Sequence, residues 1–131
     1  MKKVKGYIFS RSFMGERVPQ HIQNIVIRDY CKKNELQYLL STSEYNMNNS
    51  FLILNNLVTN LKGINGIIAY SLFQLPYYQG ERNKILKKII KKKKFIMFAS
   101  EKMKVSNLNE LNHINSIWKI KKTLPYCPSR I

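Results

Sequence analysis

Apolar positions along this chain fall into short continuous blocks separated by stripes at helical spacing. Val4 to Phe9 is a brief apolar run with β-branched and aromatic residues, which predicts a first strand. Ser10 to Arg17 breaks the pattern, with Gly15 as punctuation, and Pro19 suits a first helical turn, where its missing amide costs nothing. Ile22, Ile25, Val26, Tyr30 and Cys31 then recur at three- and four-residue spacings, an amphipathic helix ending near Asn34. Leu36 to Leu40 predicts a second strand, and Ser41 to Asn49 a polar loop with Ser50 as the cap of a second helix. That helix presents Phe51, Leu54, Leu57, Val58 and Leu61, and Gly63 suits its C-terminal turn.

Ile64 to Leu72 is the most apolar segment and lacks alternation, as expected of a strand buried on both faces at the centre of a parallel sheet. Pro76 closes the following loop. A third helix is expected from about Gln79 to Lys92, with Ile85, Leu86, Ile89 and Ile90 inward, then a fourth strand from Phe95 to Ala99. Leu108, Leu111, Ile114, Ile117, Trp118 and Leu124 fit a C-terminal helix stopped by Pro125. Strands alternating with helices imply right-handed crossovers, so the fold class is α/β: a mainly parallel sheet of about four strands with helices on both faces. No repeat or linker divides residues 1–131, which are read as a single domain.

Composition limits the function classes. At 44% hydrophobic and 23% charged, the chain has enough apolar residues for a core, so disorder is not expected. No apolar run approaches the roughly 18 residues needed to span a bilayer, and Tyr7-Ile8-Phe9 is too short for a signal-peptide core. A cytoplasmic protein without membrane insertion is expected. Cys31 lies in a helical apolar pattern and Cys127 in a Pro-flanked tail; their isolation supports neither a metal site nor a disulfide framework.

The net charge of +16 raises the question of an anionic partner. Only five of the 23 basic residues are Arg, however, and nucleic-acid interfaces lean on Arg for its bidentate fork and stacking. Together with abundant Asn and Ile, the lysines read chiefly as compositional, and nucleic acid as the less favoured partner. The run Lys87-Lys88-Ile89-Ile90-Lys91-Lys92-Lys93-Lys94 reads as a solvated helix end that complements the helix dipole.

In an open parallel sheet, ligands bind outside the carboxyl ends of the strands. The loops there carry Ser10, Arg11, Ser12, Glu16, Arg17, Gln20 and His21 after the first strand, and Ser41 to Tyr45 after the second. Tyr70, Ser71 and Gln74 follow the third, and Ser100 and Glu101 the fourth. Two of the five arginines, Arg11 and Arg17, flank the first turn, either as solvated loop residues or as a clamp for a phosphate or carboxylate at a helix N-terminus. His21 is a helix-surface residue or an acid/base; His113 reads as plain surface. Glu44 and Glu101 are candidate acid/base carboxylates, or structural partners of Arg11 and Arg17. Ser10 and Ser12 are candidate nucleophiles, with no activating base beside them in sequence. No P-loop or Gly-x-Gly-x-x-Gly is present, and no cofactor or metal is expected.

Gly6 to Gly15, Arg17-Val18-Pro19-Gln20-His21, Gln23-Asn24, Ile27 to Cys31, Gln37 to Ser41 with Glu44-Tyr45, Tyr70 to Pro76, Ile117-Trp118 and Thr123-Leu124-Pro125 carry a resemblance to the sporadic carbohydrate cluster protein family. The resemblance spans nearly the whole chain. It implies a role among the products of bacterial surface-carbohydrate genes and brings no reaction with it. A weaker resemblance, carried by Tyr7, the Ser/Arg loop and Gln23, is to the catalytic domain of serine recombinases and implies a resolvase-like fold. The Tyr-x-Arg-x-Ser spacing of that family is broken here, and Ser71 to Pro76 lacks the arginines that family places after its third strand, so the recombination chemistry is not implied.

The expected function is therefore surface-glycan biosynthesis, with an anionic sugar or nucleotide-sugar bound or acted on by Ser10, Arg11, Ser12, Arg17, Gln20, Ser71 and Gln74, and Glu101 completing the pocket. The alternative is a basic nucleic-acid-binding module using Lys87 to Lys94. A homodimer or a pathway enzyme is the protein partner to look for.

Overall fold

The structure, a computed structural model, describes residues 2–9, 13, 17–44 and 51–123. The apolar blocks form β1 (Lys2–Ile8), β2 (Leu36–Ser43), β3 (Gly66–Ala69) and β4 (Phe95–Phe98). The spaced stripes form α1 (Gln20–Lys33), α2 (Leu52–Thr59), α3 (Gln79–Lys91) and α4 (Leu108–Thr123). The sheet order is β2-β1-β3-β4-β5, with parallel pairing among β1 to β4.

The fifth strand, β5 (Met103–Val105), runs antiparallel to β4 at the edge and was not expected from the sequence. Three residues with an exposed lysine in the middle are too few to show alternation. The central apolar segment is also shorter as a strand than expected. Only Gly66–Ala69 pairs, and Leu72–Gln74 turns into a 3₁₀ helix capped by the Ser71 hydroxyl, which accepts from the Phe73 amide.

Neighbouring residues of β3 go to opposite sides, as period-two geometry requires. Ile67 joins the core formed with α2, α3 and α4, including Leu54, Leu86, Ile114 and Trp118. Ile68 joins the core beneath α1, with Val4, Ile27 and Cys31. β3 thus lies at the middle of the sheet and is buried on both faces. Burial pushes the Cys31 thiol up to about 11.

One local correction follows from packing, and one expectation holds. The inward stripe of α1 is rotated relative to the apolar pattern: Ile22 and Ile25 are exposed, whereas Gln23, Ile27 and Cys31 are buried. Beyond the C-terminal end of α2, as expected, Gly63 adopts φ +83°, a left-handed conformation that its missing Cβ permits. Ser50, Leu124, Pro125 and Cys127 lie outside the described residues. Among the described residues no helix is long and apolar enough to cross a membrane.

Candidate functional site at the strand ends

The crossover from β1 leads outward to β2, while that from β3 leads the other way to β4. The chain therefore reverses between β1 and β3, and in open sheets of this kind the carboxyl ends at such a reversal are the usual place for a ligand. Several side chains at these strand ends are polar and buried. Gln23, fully buried on α1, donates through Nε2 to the carbonyl oxygens of Phe9 (2.7 Å) and Val18 (2.8 Å). Its Oε1 accepts from Gln74 Nε2 at 2.8 Å. Gln74 Oε1 in turn accepts the amides of Tyr70 (3.1 Å) and Ser71 (3.2 Å). One pair of carboxamides thus fastens the loop after β1 to the loop after β3.

Glu101 extends the network to the loop after β4. Its Oε2 accepts from Ser71 Oγ at 2.7 Å and its Oε1 from the Leu72 amide at 2.9 Å. The loops themselves prolong the parallel ladder: the Ala99 amide donates to the Ala69 carbonyl and the Ser100 amide to the Tyr70 carbonyl. Buried polar groups are costly unless paired, and every fully buried side-chain nitrogen and oxygen among the described residues has a partner.

Glu44 anchors the end of β2. The Tyr7 hydroxyl donates to Glu44 Oε2 (3.0 Å), and the first amides of α2, Ile53 (3.1 Å) and Leu54 (3.2 Å), donate to the same oxygen. A carboxylate at a helix N-terminus satisfies otherwise orphaned amides and complements the helix dipole. Glu44 and Glu101 therefore serve different elements: one carboxylate holds α2, the other holds the turn after β3.

Of the expected ligand contacts, Ser71 and Gln74 do lie at the strand ends, but they are 3% and 1% exposed and their side chains bond within the chain. Arg17 is exposed just before α1, Gln20 is half-buried in its first residue, and His21 is exposed beside it. Helix α1 begins after Pro19 with no side-chain cap and no acidic residue in its first turn. Ser10, Arg11 and Ser12 lie outside the described residues. His113 is exposed on α4. The sequence singles out Gln23 and Tyr7 only through a resemblance, and neither as a buried hydrogen-bonding group. The available signal for Gln23 was its position four residues before Ile27 and eight before Cys31, in line with the buried stripe.

Lys87, Lys88, Lys91, Lys92 and Lys93 are exposed, as a solvated helix end requires. Lys92 also has a structural role, since its Nζ donates to the carbonyl oxygens of Val58 (2.7 Å) and Thr59 (2.9 Å), at the C-terminal end of α2. No group of three His, Cys, Asp or Glu side chains able to hold a metal ion occurs among the described residues.

Over most of its length the chain is similar to solved structures, two of which illustrate the likeness. One is a resolvase family site-specific recombinase from Streptococcus pneumoniae, at 8% identity and TM-score 0.60, covering 94% of this chain and 91% of that one. The other is the N-terminal catalytic domain of TP901-1 integrase, at 17% identity and TM-score 0.60, covering 93% of this chain and 99% of that one. At such identities the likeness establishes a resolvase-like fold and nothing of the chemistry. No family model matches the chain, and no curated protein matches it.

Proposed function

We propose that the chain binds the anionic group of a sugar or nucleotide-sugar at its strand-end loops, as a component of bacterial surface-carbohydrate synthesis. The observation that carries the reading is the buried Gln23–Gln74 carboxamide pair, which ties the β1 and β3 loops together at the strand ends. A network of this kind holds loop backbones in one arrangement, which is what a preorganised small-molecule site needs. The charge comes from Arg17, exposed beside an α1 N-terminus that lacks a side-chain cap, with Arg11 in the same loop of the sequence. Gln20 offers a carboxamide to the sugar; Ser10 and Ser12 offer hydroxyls. Ser71, Gln74 and Glu101 hold the loops beneath the ligand. The pathway assignment rests on the resemblance of the strand-end motifs to the sporadic carbohydrate cluster family.

Titration with a uridine diphosphate sugar tests the reading. Saturable binding that Arg17→Ala weakens about tenfold, the loss of one charge-assisted contact, is expected, with thermal stability unchanged. Lys87→Ala, on an exposed helix position, is the control and leaves binding intact. Tight duplex-DNA binding that persists at physiological salt and is lost on replacing Lys87, Lys88 and Lys91 would instead establish the nucleic-acid module, since affinity from compositional lysines falls steeply with salt.

A further inference from the structure

A second polar cluster lies between α3 and α4, against the outer part of the loop that follows β3. Its centre is Arg82, on the inward side of α3 and 1% exposed. The guanidinium lies over the Trp118 ring at 4.5 Å from its centroid. Arg82 Nε donates to Asn115 Oδ1 (2.9 Å), and Nη1 donates to the carbonyl oxygens of Pro76 (3.1 Å) and Tyr77 (2.9 Å). Asn115 is itself fixed by donating from Nδ2 to Asn83 Oδ1 (2.7 Å). These partners are neutral, and among the described residues Arg82 has no carboxylate partner. Burial draws its guanidinium down to about 10, still protonated at neutral pH.

Nη2 has no hydrogen-bond partner among the described residues. Because no fully buried side-chain nitrogen there lacks a partner, Nη2 keeps a narrow contact with solvent although the residue as a whole is almost fully buried. The cavity that Arg82 lines has a volume of about 520 Å³, within the range of small-molecule sites, and its other walls are Gln79, Asn112, Asn115, Ser116 and Lys119. Residues 112, 115, 116 and 119 recur at three- and four-residue spacing, so α4 turns one continuous polar stripe toward Arg82.

We propose that this cavity binds a small hydroxylated molecule by its oxyanion, a phosphate or a carboxylate. Arg82 Nη2 and the Lys119 ammonium take the oxyanion, and the carboxamides of Gln79 and Asn112 with the Ser116 hydroxyl take neighbouring hydroxyl groups. A buried cation whose partners are neutral gains most from an anion that arrives already matched to its free donor. Asn115 and the Pro76 and Tyr77 carbonyl groups hold the guanidinium in place beforehand. This site shares the loop after β3 with the strand-end network but draws its ligand contacts from α3 and α4, so its test is separate from that of the strand-end reading.

Trp118, the only tryptophan in the chain, provides the readout. Its fluorescence is followed as the full chain is titrated with inorganic phosphate, glucose 6-phosphate, glucuronate and glucose at constant ionic strength. A saturable change with one or both oxyanion sugars is expected, tighter than with phosphate alone and absent with glucose; the phosphorylated and carboxylated probes distinguish the two anions. Lys119→Glu weakens binding tenfold or more, about the loss of one charge-assisted bond. Asn112→Ala weakens the sugar probes without affecting phosphate, and Arg17→Ala leaves all midpoints unchanged. Lys119 and Asn112 are exposed, so these variants keep the test valid if Arg82→Lys does not fold. The proposal is overturned by the lack of any saturable change, by an unaltered midpoint in Lys119→Glu, by equal binding of glucose, or by loss of the response in Arg17→Ala.

Discussion

At the carboxyl ends of β1 and β3 the buried polar side chains are two carboxamides and a hydroxyl, joined by the carboxylate of Glu101 to the loop after β4. Gln23 uses both ends of its amide, and so does Gln74. Between α3 and α4 the buried group is a guanidinium with neutral partners, an Nη2 that makes no hydrogen bond among the described residues, and a place in the wall of a cavity. The first cluster fixes backbone. The second holds a charge in reserve. The contrast separates polar groups that the fold needs from polar groups that the fold merely accommodates, and it makes the two separable by mutation.

The largest effect is expected where the network is closed. Gln23→Leu removes the donor to the Phe9 and Val18 carbonyl groups and the acceptor of Gln74 Nε2, at about 1–3 kcal/mol for each buried group left unpaired, so roughly 3 kcal/mol or more in total. Urea unfolding measures this. Because the two carboxamides act as a unit, Gln23→Leu combined with Gln74→Leu should cost less than the sum of the singles, with a coupling of about 0.5–3 kcal/mol. Strict additivity would mean that the strand-end loops are not joined through this pair.

Glu44→Ala comes next. It uncaps the Ile53 and Leu54 amides and removes the acceptor of the buried Tyr7 hydroxyl, at about 2 kcal/mol. Glu44→Gln retains an oxygen acceptor and should lose visibly less. An equal loss in both variants would show that the charge, rather than the acceptor, holds α2.

How much of this contrast was legible in the sequence follows from what periodicity can see. Ile64 to Leu72 announced the centre of the sheet because a strand buried on both faces needs an unbroken apolar run. The carboxamides were nearly invisible because a hydrophobic pattern treats Gln23 as a polar position and turns it outward. That misreading rotated the expected face of α1 and placed Ile25 inside, where it is 60% exposed. Arg82 was hidden for the same reason, although it lies three residues before Ile85 on the inward stripe of α3. β5 was too short for any pattern. Ser71, Gln74 and Glu101 were placed correctly at the strand ends, since strand-end loops follow from topology. Their inward bonding depends on side-chain geometry that spacing does not encode.

Arg82→Met sharpens the comparison from the other side. The substitution strands the Pro76 and Tyr77 carbonyl groups and the Asn115 oxygen, but it also removes a buried charge that has no carboxylate partner among the described residues. These terms oppose each other, and the net loss should be about 1–2 kcal/mol, below that of Gln23→Leu although each substitution breaks three hydrogen bonds. A loss larger than that of Gln23→Leu would place Arg82 among the groups that the fold needs.

The smallest effect tests whether charge alone distinguishes the two clusters. Lys92 is a surface cation on a chain crowded with lysines, yet its ammonium donates to two carbonyl groups at the end of α2, Val58 at 2.7 Å and Thr59 at 2.9 Å. The last carbonyls of a helix have no intrahelical donor and carry the negative end of its dipole, so a cation there both satisfies and complements them. Water can replace the exposed bond to Thr59 more readily than the partly buried one to Val58. Lys92→Ala should therefore cost about 1 kcal/mol, while Lys87→Ala and Lys88→Ala, on exposed positions one turn earlier, stay within about 0.5 kcal/mol. Thermal unfolding of the three variants at low and high salt measures the difference. Salt should narrow it by screening the dipole interaction while the hydrogen bonds remain. If all three lysines prove equivalent, the α2 cap contributes nothing, and the Lys87 to Lys94 run is uniform solvated surface throughout.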